Sequence, residues 1–149
     1  MIVTHFLPKF QVSVQSGQLA VRSALEKLLT QLEPLHLDVE EAGTIELVLA
    51  EALNNVVEHG YPPSSEGGAI DISCSHKRDG LHFEICDQGL PMPSGETPIG
   101  SKVDLNVPMQ DMPEGGFGWF LIKDLAKDID YARQGNSNHL RLRLNVRGA

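Results

Sequence analysis

Residues 51–61, Glu51-Ala-Leu-Asn-Asn-Val-Val-Glu-His-Gly-Tyr61, set a carboxylate at Glu51, a carboxamide at Asn55 and an imidazole at His59, each four positions apart. Four residues is close to one helical turn, so these side chains form a slowly drifting stripe along one helix face. Around them Ile45, Val48, Leu49, Ala52, Leu53, Val56 and Val57 recur at helical spacing, which predicts a helix over 40–59 with one side toward a core. Gly43 weakens its opening turns, Gly60 suits a left-handed helix end, and Pro62-Pro63 stops helical bonding beyond it. Glu51 can orient a hydroxyl nucleophile or accept its proton. Asn55 can offer its carboxamide oxygen to Mg²⁺, a hard ion that bridges phosphates while keeping waters. Glu, Asn and His equally suit an exposed helical face, so spacing alone leaves both readings open. His59 reads as a helix-terminal cap or packing residue.

Working outward, Leu19, Val21, Ala24, Leu25, Leu28, Leu29 and Leu32 predict an amphipathic helix over 18–32, preceded by a short extended stretch at Val3–Phe6. Ile70, Ile72 and Cys74 alternate with Asp71, Ser73 and Ser75, and Leu81, Phe83 and Ile85 repeat the pattern after Asp79-Gly80, so a hairpin is expected that carries Asp87 to a strand edge. Residues 89–115 are rich in Pro, Gly and small polar residues, and a loop of that length in a compact domain calls for a functional reason. Helix resumes near Gly118, with Phe120, Leu121, Leu125 and Ala126 toward the core. Ile129 and Tyr131 begin a strand, 134–138 form a turn, and Leu140, Leu142, Leu144 and Val146 mark a last strand. This order predicts an α+β fold, a two-layer α/β sandwich with a mixed, largely antiparallel sheet covered by helices. One domain over 1–149 is expected, with a lid at 89–115.

The chain has 149 residues, enough for one continuous core, and a formal charge of -8 that opposes nonspecific attraction to nucleic acid or an anionic membrane. Neither nucleic acid nor membrane is therefore expected as a partner. Cys74 and Cys86 lack CxxC spacing, and no secretory leader or membrane-length apolar run is visible, so a reducing, cytoplasmic setting is expected. The two thiols can pair only if neighbouring strands bring them together.

Asp87-Gln-Gly89 follows a core-type strand. Its carboxylate can accept a hydrogen bond from an adenine amino group while Gly89 turns the backbone beneath the base; a solvent-facing turn is the ordinary alternative. Gly115-Gly-Phe-Gly118 precedes an apolar helix, where exposed amides and the helix dipole can hold phosphate, although a hinge or packing turn also explains the glycines. A Walker phosphate loop is excluded by the missing Gly-Lys-Ser/Thr ending, and a dinucleotide-binding half by the lack of strand–helix alternation. Scattered histidines and unclustered cysteines argue against zinc. No hydroxyl sits in a nucleophile elbow.

In this order the motifs resemble the histidine kinase-like ATPase (Bergerat) fold, and more closely the small anti-sigma factor/serine-protein kinase family of RsbW/SpoIIAB type. The resemblance runs over nearly the whole chain, through 138–144. Glu51 through Tyr61 is similar to the family's first nucleotide motif, Asp87-Gln-Gly89-Leu-Pro91 to its adenine motif, and Gly115-Gly116-Phe-Gly118-Trp-Phe-Leu121-Ile122 to its phosphate motif. The resemblance implies ATP and Mg²⁺ as cofactors, Glu51 as general base, Asn55 as the Mg²⁺ ligand and Asp87 as the adenine reader. It places Gly89 in the supporting turn, and Gly116 and Gly118 near the phosphates. Pro91 departs from the second glycine of an Asp-x-Gly-x-Gly motif common in broader families of this fold, which stiffens the adenine-side loop. Met92-Pro93 departs from the family's Phe-Asp-Pro continuation.

The same resemblance implies a signalling role, as an ATP-dependent protein serine/threonine kinase and anti-sigma-like regulator. It would phosphorylate or sequester a small antagonist-domain (STAS-like) partner, with a sigma factor and a homodimer as further associations. The competing reading is a nonenzymatic ATP-responsive protein-binding switch.

Overall fold

Phe10, Val12 and Val14 alternate with Gln11, Ser13 and Gln15, and this period-two stretch forms the first strand of the computed structural model, β1 (Phe10–Gln15). The structure describes residues 6–17, 19–62, 66–92 and 116–146. Of the expected extended stretch at 3–6, only Phe6 lies among them, and it is not in a strand. Val3 to His5 lie outside the described residues, among which the first strand comes after Pro8.

Helix α1 (Ala20–Leu32) buries Ala20, Ala24, Leu28 and Leu32, while Leu19 lies outside the helix and is exposed. A short 3-10 turn at Glu33–Leu35 leads to α2 (Val39–Asn55). Asp38 caps α2 in a reciprocal box: the Glu41 amide donates to Asp38 Oδ1 at 2.7 Å and the Asp38 amide to Glu41 Oε1 at 3.3 Å. Glu40 and Glu41 in the first turn also complement the helix dipole. This cap offsets the weakness introduced by Gly43, so helix begins near the expected boundary. Ile45, Val48, Leu49, Ala52 and Leu53 make the buried stripe.

Strands β2 (Ala69–Lys77) and β3 (Gly80–Asp87) form the expected hairpin. Its two linking residues are Arg78 and Asp79; Gly80, at φ +125°, is already paired with Lys77. A Cβ on Gly80 would meet the Leu144 carbonyl oxygen at 2.3 Å, so glycine here permits the strand that ends at Leu144 to run close by. Helix α3 (Gly116–Leu125) packs against α2. Its buried face is set by Trp119 and Ile122, continued by Ala126, whereas Leu121 is exposed. Of the expected set Phe120, Leu121, Leu125 and Ala126, the last two do pack on the core but Leu121 does not, because nearly every residue from 117 to 122 is apolar and the run alone leaves its phase open.

Strands β4 (Lys127–Gln134) and β5 (Ser137–Leu144) close the chain, and the sheet order is β1-β2-β3-β5-β4. Every pairing among the described strands is antiparallel. Inner-face residues Ile70, Ile72, Cys74, Leu81, Phe83, Ile85, Leu140, Leu142 and Leu144 join the helices in one apolar core. The other face carries polar groups, among them Arg141–Glu84 at 3.0 Å and Arg143–Asp128 at 2.8 Å. Cys74 lies on the inner face and Cys86 on the outer one, so neighbouring strands keep the two thiols apart, and both are free. Among the described residues no helix is long and apolar enough to cross a membrane.

Loss of the α2 cap is expected to be measurable: Asp38→Ala should lower unfolding free energy by about 1 kcal/mol in urea titration, while Asp38→Asn should retain most of it.

Candidate functional site

The site is organised by a joint between the C-terminal end of α2 and the end of β3. After Asn55 the helix widens into a π-turn, Val56–Gly60, closed by the Tyr61 amide donating to the Val56 carbonyl at 3.1 Å. Such insertions re-aim the backbone and cluster at functional positions. Gly60 is buried and does not take the left-handed conformation expected of a terminal glycine. It serves instead through its backbone: the Leu90 amide donates to the Gly60 carbonyl at 2.8 Å. A Cβ on Gly89 would stand 2.4 Å from that same carbonyl oxygen. Glycine at 89 is required by this close contact.

Asp87 ends β3 and is only 5% exposed, opposite Asn138, which is equally buried at the start of β5. Asp87 Oδ1 accepts from the Gly89 amide at 2.8 Å and from Asn138 Nδ2 at 2.8 Å. Among the described residues both bonds fall on Oδ1, which leaves Oδ2 for an outside donor. Burial, the largest influence, pushes the Asp87 carboxyl above its ordinary range, and the bonds from Asn138 and Gly89 with the nearby Arg133 partly oppose that. A buried acceptor beside a glycine turn fits the exocyclic amino group and ring of a purine.

Asn138 does more than hold Asp87. Its Nδ2 also donates to the Leu90 carbonyl at 2.9 Å, and its Oδ1 accepts from Arg133 at 3.0 Å and from the Tyr131 hydroxyl. Arg133 donates to the Gly89 carbonyl at 2.7 Å, and Tyr131 Oη accepts from the Met92 amide at 3.0 Å. Thus β4 and β5 hold residues 89–92 by their backbone groups. Tyr61 completes the frame, accepting from the Gln88 amide at 2.8 Å and donating to the Ala69 carbonyl at 3.0 Å. Burial raises the Tyr61 phenol, favouring the protonated form that the second bond requires.

Glu51 and Asn55 are half-buried on α2. Asn55 Nδ2 donates to the Glu51 carbonyl at 2.8 Å, which occupies the donor end of the amide and turns Oδ1, the end able to ligate a hard cation, away from that bond. His59 is exposed in the π-turn. Gly116 and Gly118 lie in the first turn of α3, which packs beside α2. Gly115 and the part of the expected lid from 93 onward lie outside the described residues.

The structure brings Asp87, Gly89 and the end of α2 into direct contact through Gly60, while α3 presents Gly116 and Gly118 from the helix alongside. Sequence reading missed Asn138, Tyr131 and Arg133. The available signal was the polar Asn138 at an inward position of a strand whose other inward residues are leucines.

A family profile for the histidine kinase-like ATPase domain matches residues 14–144. The chain is 32% identical over 112 residues to Serine-protein kinase RsbW of Halalkalibacterium halodurans, covering 74% of this chain and 65% of the relative. It is 32% identical over 93 residues to Serine-protein kinase RsbW of Bacillus mycoides, covering 60% and 56%. The chain thus spans less than two thirds of the length of these curated relatives. Among solved structures, the RsbU and RsbW domains of a Mycobacterium tuberculosis protein superpose with a TM-score of 0.63 at 17% identity, over 95% of this chain and 34% of that one. That likeness is one of fold.

Gly89→Ala forces a methyl group against backbone that has no side chain to yield, so a loss of about 1–3 kcal/mol in unfolding free energy is expected. The raised Asp87 carboxyl gives a pH signature. The native carboxyl binds its proton more tightly than the unfolded one, so its contribution to stability falls as pH rises from the ordinary value of 3.8 through the raised native value. Urea midpoints of Asp87→Asn, followed across that window, should lack this fall.

Proposed function

Because the chain belongs to the histidine kinase-like ATPase family, we propose that it is an ATP-dependent protein serine/threonine kinase and anti-sigma-like regulator. Its partner would be a small antagonist-domain protein that it phosphorylates or sequesters. The observation that carries this reading is the joint at Gly60. By bonding Leu90 to the end of α2, it sets the buried carboxylate of Asp87, which would read the purine, beside the helix that bears Glu51 and Asn55. The likeness to serine-protein kinases named RsbW supports the choice of reaction.

ATP with Mg²⁺ would supply the transferable phosphoryl group and the charge neutralisation that phosphoryl transfer demands. Asp87 would accept from the adenine amino group through Oδ2, with Oδ1 kept in place by Asn138 and Gly89. Asn55 would hold the cation through Oδ1, since its Nδ2 is committed to the Glu51 carbonyl. Gly116 and Gly118 would allow the phosphates to approach the first amides of α3. Glu51 would orient the incoming serine or threonine hydroxyl and take its proton. Phosphorylation adds charge to the partner, which weakens its hold if the new phosphate falls within the interface. A sigma factor would compete for the same regulator, and the protein would act in the cytoplasm.

The test uses purified protein, γ-labelled ATP with Mg²⁺, and an antagonist-domain protein encoded beside it. Label should pass to the partner with the native chain and be lost by at least about 100-fold in Glu51→Ala, with ATP affinity retained. Asp87→Asn should lose ATP binding itself. Tight ATP-dependent partner binding without label transfer would replace the kinase with a nonenzymatic switch. Failure of the folded chain to bind ATP would reject both.

A further inference from the structure

The outer face of the sheet carries a cluster that the nucleotide site does not use. Cys86 on β3 stands opposite His139 on β5, and Glu84 lies two residues before Cys86 on the same face. Cys86 Sγ is 3.1 Å from His139 Nδ1 and 3.2 Å from Glu84 Oε1, and His139 Nδ1 is 3.2 Å from that same oxygen. One sulfur, one imidazole nitrogen and one carboxylate oxygen therefore form a nearly equilateral triangle. All three residues are half-buried, which leaves a path from solvent.

Tetrahedral zinc with a thiolate, an imidazole and a carboxylate sets its ligand atoms about 3.4–3.6 Å apart. The triangle needs to open by only a few tenths of an ångström to match. Its ligand types suit a borderline-soft ion better than Mg²⁺ or Ca²⁺, which prefer oxygen. Arg141 Nε donates to Glu84 Oε2 at 3.0 Å, turning Oε1 toward the triangle in the manner of an outer-shell partner. Once the thiol proton is released, the thiolate and carboxylate balance the two charges of the ion.

We propose that Glu84, Cys86 and His139 form a Zn²⁺ site on the outer face of the sheet, with a fourth position open to water or an incoming ligand. Binding replaces the Cys86 thiol proton by a sulfur–zinc bond and releases that proton to solvent. The site is separate from the one proposed for nucleotide. Cys86 and His139 are the immediate chain neighbours of Asp87 and Asn138, but strand alternation sends the two pairs to opposite faces. The ion would thus pin β3 to β5 directly behind the pair that holds the purine-side turn.

The full chain, reduced and stripped of metal by a chelator, is titrated without nucleotide with Zn²⁺ against a chromophoric zinc indicator, and in parallel with Co²⁺. One saturable equivalent is expected, and the cobalt form should show a thiolate-to-metal charge-transfer band. Cys86→Ser and His139→Gln should lose both, and Cys74→Ser should keep both. Arg141→Ala, which frees Glu84 to rotate, should weaken Zn²⁺ binding roughly tenfold. Circular dichroism checks that each variant retains the native fold. No saturable binding by the native chain, a cobalt complex without the band, or binding unchanged in both Cys86→Ser and His139→Gln would overturn the proposal and leave a hydrogen-bonded cluster only.

Discussion

The buried pair Asp87–Asn138 is the constraint on which the candidate site depends. A carboxylate at 5% exposure is costly unless its charge is met by hydrogen bonds, and here Asn138 and the Gly89 amide meet it on one oxygen. The same asparagine has its remaining groups bonded to Leu90, Arg133 and Tyr131, so its position cannot change without breaking several hydrogen bonds at once. Among the described residues no buried side-chain nitrogen or oxygen lacks a partner. A fully satisfied network of this kind is rigid, and rigidity is what a binding turn needs in order to present one free oxygen in a fixed direction.

The second constraint is backbone proximity. Glycine at 89 allows the turn after β3 to meet the Gly60 backbone at the end of α2 at a distance that any side chain on Gly89 would forbid. The π-turn aims the Gly60 carbonyl at Leu90, so a helix that packs on one face of the sheet is tied to a strand end within it. Movement at either element is felt at the other. In the proposed kinase, that joint would keep the purine-side and metal-side groups in one frame while the partner is engaged.

Alternation along β3 and β5 divides the work of the sheet. Inward positions build the core and, at the strand ends, the Asp87–Asn138 pair; outward positions carry Glu84, Cys86, His139 and Arg141. Two sites of different chemistry can therefore share adjacent residues without sharing a cavity. As proposed, the outward cluster would take a softer ion, and the inward pair would accept from a ligand's hydrogen-bond donor.

Local pattern in the sequence determined most of the architecture. Period-two alternation marked β2, β3 and β5, 3.6-residue spacing marked α1 and α2, and Asp87 with glycine beside it was visible as a candidate acceptor at the end of a core-type strand, while its burial was not. The alternation of Phe10, Val12 and Val14 was equally present and marks β1, whereas the extended stretch was expected before Pro8. Tertiary structure decided what periodicity cannot encode: the phase of the nearly all-apolar α3, the role of Gly60 as a contact surface, and the partners of Asp87. Asn138 is 51 residues from Asp87 and His139 is 53 from Cys86, and only antiparallel register brings either pair together. Ligand spacing along the chain argued against zinc because it sees neighbours in sequence, while the triangle of Glu84, Cys86 and His139 is made across strands. Local preference sets elements; hydrogen-bond register and close packing decide which distant side chains share a site.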